Sequence, residues 1–208
     1  MTVDGHRGTR FFLMRHAMTV WNREGRIQGQ MDTPLAPEGE RQIEAWRDVL
    51  KSLGLDSICS SDLGRARATA RGLNQTLALP LLTEPRLREQ DWGRWTGRVH
   101  RRLKTEDAER YRRETARGWH FQPPAGESHL QVLERALGAL ADLARRLEAR
   151  RILVVTHEGV LKCLIYHLAI RDGCGQPPEA MAAYHIQRLD YRDERLMLRR
   201  MNAIDLSR

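Results

Sequence analysis

Three short polar segments of this chain each follow an apolar run and carry side chains suited to phosphate chemistry. They are residues 15–16, 60–67 and 156–159, and they contain Arg15, His16, Arg65 and His157. A guanidinium group matches the oxygens of a phosphate and stays charged at any relevant pH. A neutral imidazole is a competent nucleophile toward phosphorus. If the fold brings these segments together, the resulting cleft would suit the binding and transfer of a phosphoryl group.

The apolar runs before these segments predict the strands that position them. We predict strands at residues 11–14, 55–60, 79–83 and 152–155. Helices are predicted at 38–53, 62–77, 128–150 and 160–169. Asp62 is the expected N-cap of the second helix. Residues 184–189 and 195–201 have the pattern of an antiparallel hairpin.

Strands that alternate with helices predict an α/β fold, here a three-layer α/β/α sandwich with a mostly parallel sheet and an antiparallel edge. A length of 208 residues fits a single domain that spans residues 1–208. A polar, tryptophan-bearing stretch interrupts the alternation, and we expect its part at about 98–125 to form a small helical lid. Ligands of such sheets bind beyond the carboxyl ends of the strands, where the three polar segments should meet.

Composition argues against several classes of protein. No stretch approaches the roughly 18 consecutive apolar residues of a membrane span, and residues 1–10 lack the apolar run of a secretory signal. We therefore predict a cytoplasmic protein with no membrane partner. The net charge of +8 comes from arginines that are spread along the chain and interleaved with acids. This pattern favours the steering of small anionic metabolites over nucleic-acid binding.

Cysteine and histidine spacing indicates neither a disulfide framework nor a metal site. The three cysteines, Cys59, Cys163 and Cys174, are odd in number and have no short paired spacing. We expect reduced and mostly buried thiols. The histidines outside the polar segments show no metal-ligand spacing, so no metal is predicted.

Four motifs resemble, in order, those of the histidine phosphatase superfamily, in its phosphoglycerate-mutase-like branch. Residues 12–22 (FLMRHAMTVWN) resemble the "RHG" signature, and residues 60–70 (SSDLGRARATA) resemble the second signature. Residues 87–97 (LREQDWGRWTG) and 154–159 (VVTHEG) resemble the third and the last. One such motif is a weak signal, but four in the family's order over roughly residues 10–168 are specific.

The resemblance implies a catalytic role for five residues. His16 would be the nucleophile that becomes phosphohistidine. Arg15, Arg65 and His157 would surround the phosphoryl oxygens and stabilise the charge of the transition state. Glu89 would protonate the departing oxygen and then activate water. Neither a metal nor another cofactor is expected, because the arginines and histidines neutralise the charge that a magnesium ion would otherwise neutralise.

The resemblance also implies further phosphate or substrate contacts from Asn22 and Gln28, and two residues depart from the family pattern. Ala17 replaces the signature glycine, and we expect an ordinary φ there, which alanine tolerates. Glu158 stands where a small or amide residue is more familiar. Its carboxylate is expected to raise the proton affinity of His157 and to disfavour a very anionic substrate.

The leading interpretation is a phosphoric monoester hydrolase of the histidine phosphatase type, acting on small phosphorylated metabolites. The alternative is a cofactor-dependent phosphoglycerate mutase, but family mutases have a longer lid, and residues 123–128 (PPAGES) resemble the "PGGES" segment of the branch's phosphatases. A second alternative is a non-catalytic module that docks phosphorylated ligands, against which the complete catalytic set argues. The sequence leaves open which metabolite is bound and whether the chain forms a homodimer.

Overall fold

The computed structural model describes residues 8–147, 150–172 and 180–207, and a mixed sheet of six strands lies at its centre. The strands are β1 (Thr9–Arg15), β2 (Ser57–Ser60), β3 (Leu81–Thr83), β4 (Arg151–Thr156), β5 (His185–Arg192) and β6 (Arg195–Asp205). Their order is β3-β2-β4-β1-β5-β6. The first four are parallel, and β5 and β6 add an antiparallel edge. The predicted α/β class, mostly parallel sheet and antiparallel edge are confirmed.

Seven α-helices fall within the described ranges. They are α1 (Val20–Arg23), α2 (Pro37–Lys51), α3 (Gly64–Leu77), α4 (His100–Glu106), α5 (Ala108–Ala116), α6 (His129–Arg146) and α7 (Glu158–Arg171). The stretch predicted as a small helical lid, at about 98–125, contains two helices, α4 and α5, with a break at Asp107. The short helix α1 lies between β1 and α2, where no helix was predicted.

Strand β1 contributes side chains to a core on each face of the sheet. Phe11 and Leu13 pack with apolar side chains of α6 and α7. Phe12 and Met14 pack with those of α2 and α3. Because successive strand residues point to opposite faces, a strand that is covered on both sides needs a continuous apolar run. This is why residues 11–14 read as one unbroken apolar segment.

The helix ends differ from the predictions where a side chain has a stronger partner. Asp62 does not cap α3, whose N-cap is Leu63. Its carboxylate accepts two hydrogen bonds from the Arg88 guanidinium, at 2.7 and 2.5 Å, and such a charge-assisted pair is stronger than one backbone cap. Ser128 does cap α6, in a capping box with Gln131.

Two of the three cysteines, Cys59 and Cys163, are buried free thiols, and burial raises the pKa of each to about 12. Cys174 lies outside the described residues. Within the described part of the chain, no helix is long and apolar enough to cross a membrane.

Candidate active site

The carboxyl ends of β1, β2 and β4 lie side by side and bring the three polar segments together. The backbone N–H of His16 donates to the carbonyl of Thr156 (2.9 Å), and that of Ser61 donates to the carbonyl of Val155 (2.9 Å). As a result, the rings of His16 and His157 lie with their centroids 5.2 Å apart. Parallel pairing of these strands therefore places both histidines in one site.

His16 is held as a neutral imidazole with one defined tautomer. Its Nδ1 lies 2.8 Å from the carbonyl oxygen of Ala17, which only accepts, so the proton is on Nδ1. Its Nε2 accepts a hydrogen bond from Arg65 Nε at 3.2 Å. The side chain is 2% exposed, and this burial, with the charges of Arg15 and Arg65, lowers the pKa of His16 well below 6.5. Nε2 therefore carries no proton, and its lone pair can attack an electrophile once the hydrogen bond from Arg65 is released.

Ala17 itself shows why the family's glycine is dispensable here. It is fully buried, and its N–H donates to Thr69 Oγ1 at 3.0 Å. Its φ is not among the positive values of the described chain. The expectation that alanine is tolerated at this position is confirmed.

Two backbone carbonyls of one loop hold the guanidinium of Arg65. Nη1 donates to the carbonyl of Met31 (2.8 Å), and Nη2 donates to that of Gly29 (2.7 Å). The side chain is 1% exposed. Since Nε donates to His16, the loop at 25–31 sets the direction in which the cation faces the nucleophile.

A helical segment, residues 98–125, holds this loop in place. The N–H of Ile27 donates to the carbonyl of Arg98 (2.9 Å), and the N–H of His100 donates to that of Gly25 (2.9 Å). Ile27 also packs in a small core with Trp95 and Phe121. The segment therefore supports Arg65 through the loop. The hydrophobic pattern of the sequence does not predict this contact.

His157 has one ring nitrogen, Nδ1, that is unpaired in the part of the chain that the structure describes. Its Nε2 lies 2.8 Å from Ser61 Oγ, and that oxygen already accepts from the N–H of Leu63 (3.3 Å). The ring proton lies on Nδ1 when the Ser61 hydroxyl donates to Nε2, and on Nε2 when the hydroxyl accepts. This Nδ1 is buried and has no hydrogen-bond partner among the described residues. Burial and the charge of Arg65 lower the pKa of His157 well below 6.5.

Glu158 joins Arg15 to Lys162 in a short chain of ion pairs. Arg15 Nη1 lies 2.6 Å from Glu158 Oε2, and Lys162 Nζ lies 2.5 Å from Glu158 Oε1. Burial alone would raise the pKa of Glu158, but the two cations hold it below its usual value. The prediction that Glu158 raises the proton affinity of His157 is wrong, because its carboxylate is turned to these cations.

Glu89 is held by backbone donors at the start of α7. Its Oε1 accepts from the N–H of Gln90 (2.9 Å), and its Oε2 accepts from that of Gly159 (3.3 Å). A Cβ on residue 159 would lie only 2.4 Å from Glu89 Oε1, so glycine is what allows this approach. Arg135, which the sequence did not single out, donates to the Glu89 carbonyl at 3.1 Å.

Asn22 and Gln28 both line the same cleft as His16. Asn22 Oδ1 accepts from the N–H and hydroxyl of Thr19, at 3.1 and 3.0 Å. Gln28 Oε1 accepts from the hydroxyl of Thr33 at 2.7 Å. With their oxygens used in this way, the NH₂ groups of Asn22 and Gln28 are the parts that a phosphate would meet.

The cleft has a volume of about 980 Å³. Of the residues predicted for the site, six line it: Arg15, His16, Asn22, Gln28, Arg65 and Glu89. His157 is fully buried behind them. Trp95 is buried in the small core that it shares with Ile27 and Phe121, whereas Trp92 and Trp119 line the cleft. No group of three or more His, Cys, Asp or Glu side chains in the described residues could hold a metal ion, and independence from metal stays a prediction.

The buried neutral state of His16 predicts how stability depends on pH. A histidine whose pKa is lower in the folded than in the unfolded protein binds a proton only when the chain unfolds. Its contribution is therefore complete above pH 6.5 and is lost as pH falls, by about 1.4 kcal/mol per pH unit. Urea titrations between pH 7 and 5 measure how the free energy of unfolding falls with pH. This slope should be smaller in His16→Asn, by the amount that the uptake of one proton contributes. An unchanged slope would show that His16 takes up its proton without unfolding.

Comparisons with known proteins place this geometry among phosphate-ester enzymes. A family model described as "Histidine phosphatase superfamily (branch 1)" matches residues 11–204. A curated relative from Escherichia fergusonii, "Probable phosphoglycerate mutase GpmB", is 37% identical over 88% of this chain and 85% of its own length. The α-ribazole phosphatase from Shigella flexneri is 31% identical, with a TM-score of 0.77 over 94% of this chain and 96% of that chain. A mycobacterial glucosyl-3-phosphoglycerate phosphatase is 29% identical, with a TM-score of 0.81 over 95% and 99%.

Proposed function

Because the chain belongs to branch 1 of the histidine phosphatase superfamily, we propose that it is a phosphomonoesterase acting through a phosphohistidine on His16. Its substrates are small phosphorylated metabolites, and it uses no metal or other cofactor. The observation that carries the proposal is the state of His16, whose Nδ1–H is bound to Ala17 and whose Nε2 lone pair faces the Arg65 cation. A surface or structural histidine has no need of that arrangement.

In the first step, His16 Nε2 attacks phosphorus and the bond from phosphorus to the alcohol oxygen breaks. Arg65 Nε, which donates to Nε2 in the resting site, donates instead to a phosphoryl oxygen. Arg15 supplies further charge, and His157, in the tautomer that carries its proton on the unpaired Nδ1, supplies a hydrogen bond to a phosphoryl oxygen. Glu89 in its protonated form gives a proton to the departing alkoxide.

In the second step, water replaces the alcohol. Glu89, now a carboxylate, accepts a proton from that water while the water oxygen attacks phosphorus. The P–N bond breaks, its electron pair returns to Nε2, and inorganic phosphate leaves. The N–H groups of Gln90 and Gly159 keep the Glu89 carboxylate in one place through both steps.

A phosphoglycerate mutase is the alternative, since that activity appears in the name of the Escherichia fergusonii relative. A mutase must return the phosphoryl group to a second hydroxyl before water takes it. Hydrolysis needs only that water reaches the phosphohistidine, and a cleft of about 980 Å³ leaves room for water beside a small metabolite. This room favours hydrolysis over transfer.

The experiment that tests the proposal is a screen of phosphorylated metabolites with EDTA present, run beside a mutase assay. We expect phosphate release that chelation does not change, and no interconversion of phosphoglycerates with a bisphosphoglycerate primer. Activity that is lost with EDTA and restored by one metal would contradict the metal-free mechanism. Mutase turnover faster than hydrolysis would replace the phosphatase with the alternative.

A further inference from the structure

Much of the cleft that holds His16 is lined by aromatic side chains. The aromatic wall consists of Trp92, Tyr111, Trp119, Phe121 and Tyr166. The rings of Trp92 and Phe121 meet edge-on with their centroids 5.6 Å apart, so these two residues of the wall pack against each other. Ile170 also lines the cleft and is 61% exposed. Apolar surface left in water has a cost of about 25 cal/mol per Å², and a ligand with an apolar part removes it.

Outside the phosphoryl site, each cation of the described lining is already paired with a carboxylate. Arg15 and Arg65 belong to that site. Arg26 Nε lies 2.6 Å from Glu24 Oε2, and Lys162 Nζ lies 2.5 Å from Glu158 Oε1. Among the described lining residues, no cation is therefore left to bind a second anionic group on the substrate.

The cleft histidines do not change this balance. His100 and His129 both line the cleft. Burial lowers the pKa of each below 6.5, so both rings are uncharged at neutral pH. Apart from the phosphoryl site and these ion pairs, the described lining therefore offers aromatic and neutral polar surface.

Glu158 adds a carboxylate to the same lining. It is bound to Arg15, the cation that the phosphoryl group also needs. A second anion on the substrate would have to compete with this carboxylate for Lys162, the other cation that Glu158 binds. The carboxylate of a phosphoglycerate is such a group, whereas a neutral hydroxyl carries no such penalty.

We propose that the cleft selects phosphomonoesters whose alcohol part is bulky, uncharged and partly aromatic, and that Glu158 excludes alcohols with a second anionic group. The inference rests on the proposed phosphatase function, because it assigns the aromatic wall to the leaving alcohol. The volume of the cleft agrees with a bulky alcohol. At about 980 Å³ it is at the upper end of small-molecule pockets and far exceeds the volume of a glycerate. Glu158 thus sets specificity, while His16 and Glu89 carry out the reaction.

The charge part is tested with two substrates of the same skeleton, glycerol 3-phosphate and 3-phosphoglycerate, which differ in one carboxylate. The wild-type enzyme should prefer glycerol 3-phosphate. Glu158→Gln keeps an acceptor for Arg15 but removes the charge, and should move the ratio of the two kcat/KM values about tenfold toward 3-phosphoglycerate. The ratio cancels any shared effect on Arg15. The control is Glu109→Gln, the same change at an exposed site on α5, which should leave the ratio as it is.

The apolar part is tested with 1-naphthyl phosphate against glycerol 3-phosphate. Trp119→Ala should lower kcat/KM for the naphthyl ester about tenfold while changing the glycerol ester little. Ile170→Ser, at a side chain that is 61% exposed, should act in the same direction more weakly. An unchanged substrate ratio in Glu158→Gln would overturn the charge part of the inference, and an unchanged ratio in Trp119→Ala and Ile170→Ser would overturn the apolar part. In either case, phosphate release would still support the phosphatase. If no ester in the panel releases phosphate, the proposed function itself fails.

Discussion

Replacing His16 by alanine is expected to lower kcat by about 10⁴-fold or more, the scale seen when a covalent nucleophile is removed. The side chain is 2% exposed, and its Nε2 faces Arg65 at 3.2 Å, so alanine removes the nitrogen that would attack phosphorus. Alanine leaves Arg65 and Arg15 to bind phosphate. Phosphate binding should therefore persist while turnover is lost.

The covalent intermediate gives a direct measurement. Brief incubation with a labelled ester, followed by a rapid quench, should place an acid-labile and base-stable label on the peptide that contains His16. The matched control is His120→Ala, because His120 is exposed and does not line the cleft. Full turnover in His16→Ala, or label on another peptide, would show that a different residue carries the phosphoryl group.

The convergence of Arg15, His16, Arg65 and His157 was predictable because it depends only on where strands end. Three apolar runs of the right length predict strands, and parallel pairing aligns their carboxyl ends. Neither step requires the exact pairing register. The same local rules predicted the antiparallel edge and a helix that begins near residue 128, and both are confirmed.

The surroundings of these residues were not predictable, since they depend on contacts between distant loops. Gly29 and Met31 hold Arg65 through their carbonyls, and every residue has a carbonyl, so the sequence carries no signal for this contact. Arg135 reaches the Glu89 carbonyl across 46 positions of sequence. A rare residue type with a required spacing would have been needed to find either contact.

Competition between side-chain partners explains the two local predictions that were wrong. Asp62 and Glu158 were each assigned to their nearest neighbours in sequence, a helix start and His157. In the folded chain each carboxylate meets an arginine, Arg88 or Arg15. A guanidinium offers several charge-assisted donors, so it outcompetes a backbone N–H or a neutral imidazole.

Replacing Glu89 by glutamine is expected to slow the transfer of phosphate to His16 by about 10²–10⁴-fold for alkyl esters, and much less for p-nitrophenyl phosphate. An alkoxide is a poor leaving group and needs a proton as the P–O bond breaks. A nitrophenolate is stable enough to leave without one. Glutamine keeps the size of the side chain and an oxygen for a backbone N–H, but it cannot deliver a proton.

The two roles proposed for Glu89 have to be separated. Glu89 also activates the water of the second step, so Glu89→Gln slows the overall turnover of every ester. Single-turnover measurement of the first step isolates phosphorylation of His16. The control is Glu44→Gln, the same substitution at an exposed position of α2. If Glu89→Gln slows phosphorylation equally with both kinds of ester, the carboxylate only positions the start of α7 through Gly159. The proton would then have to come from another group in the cleft.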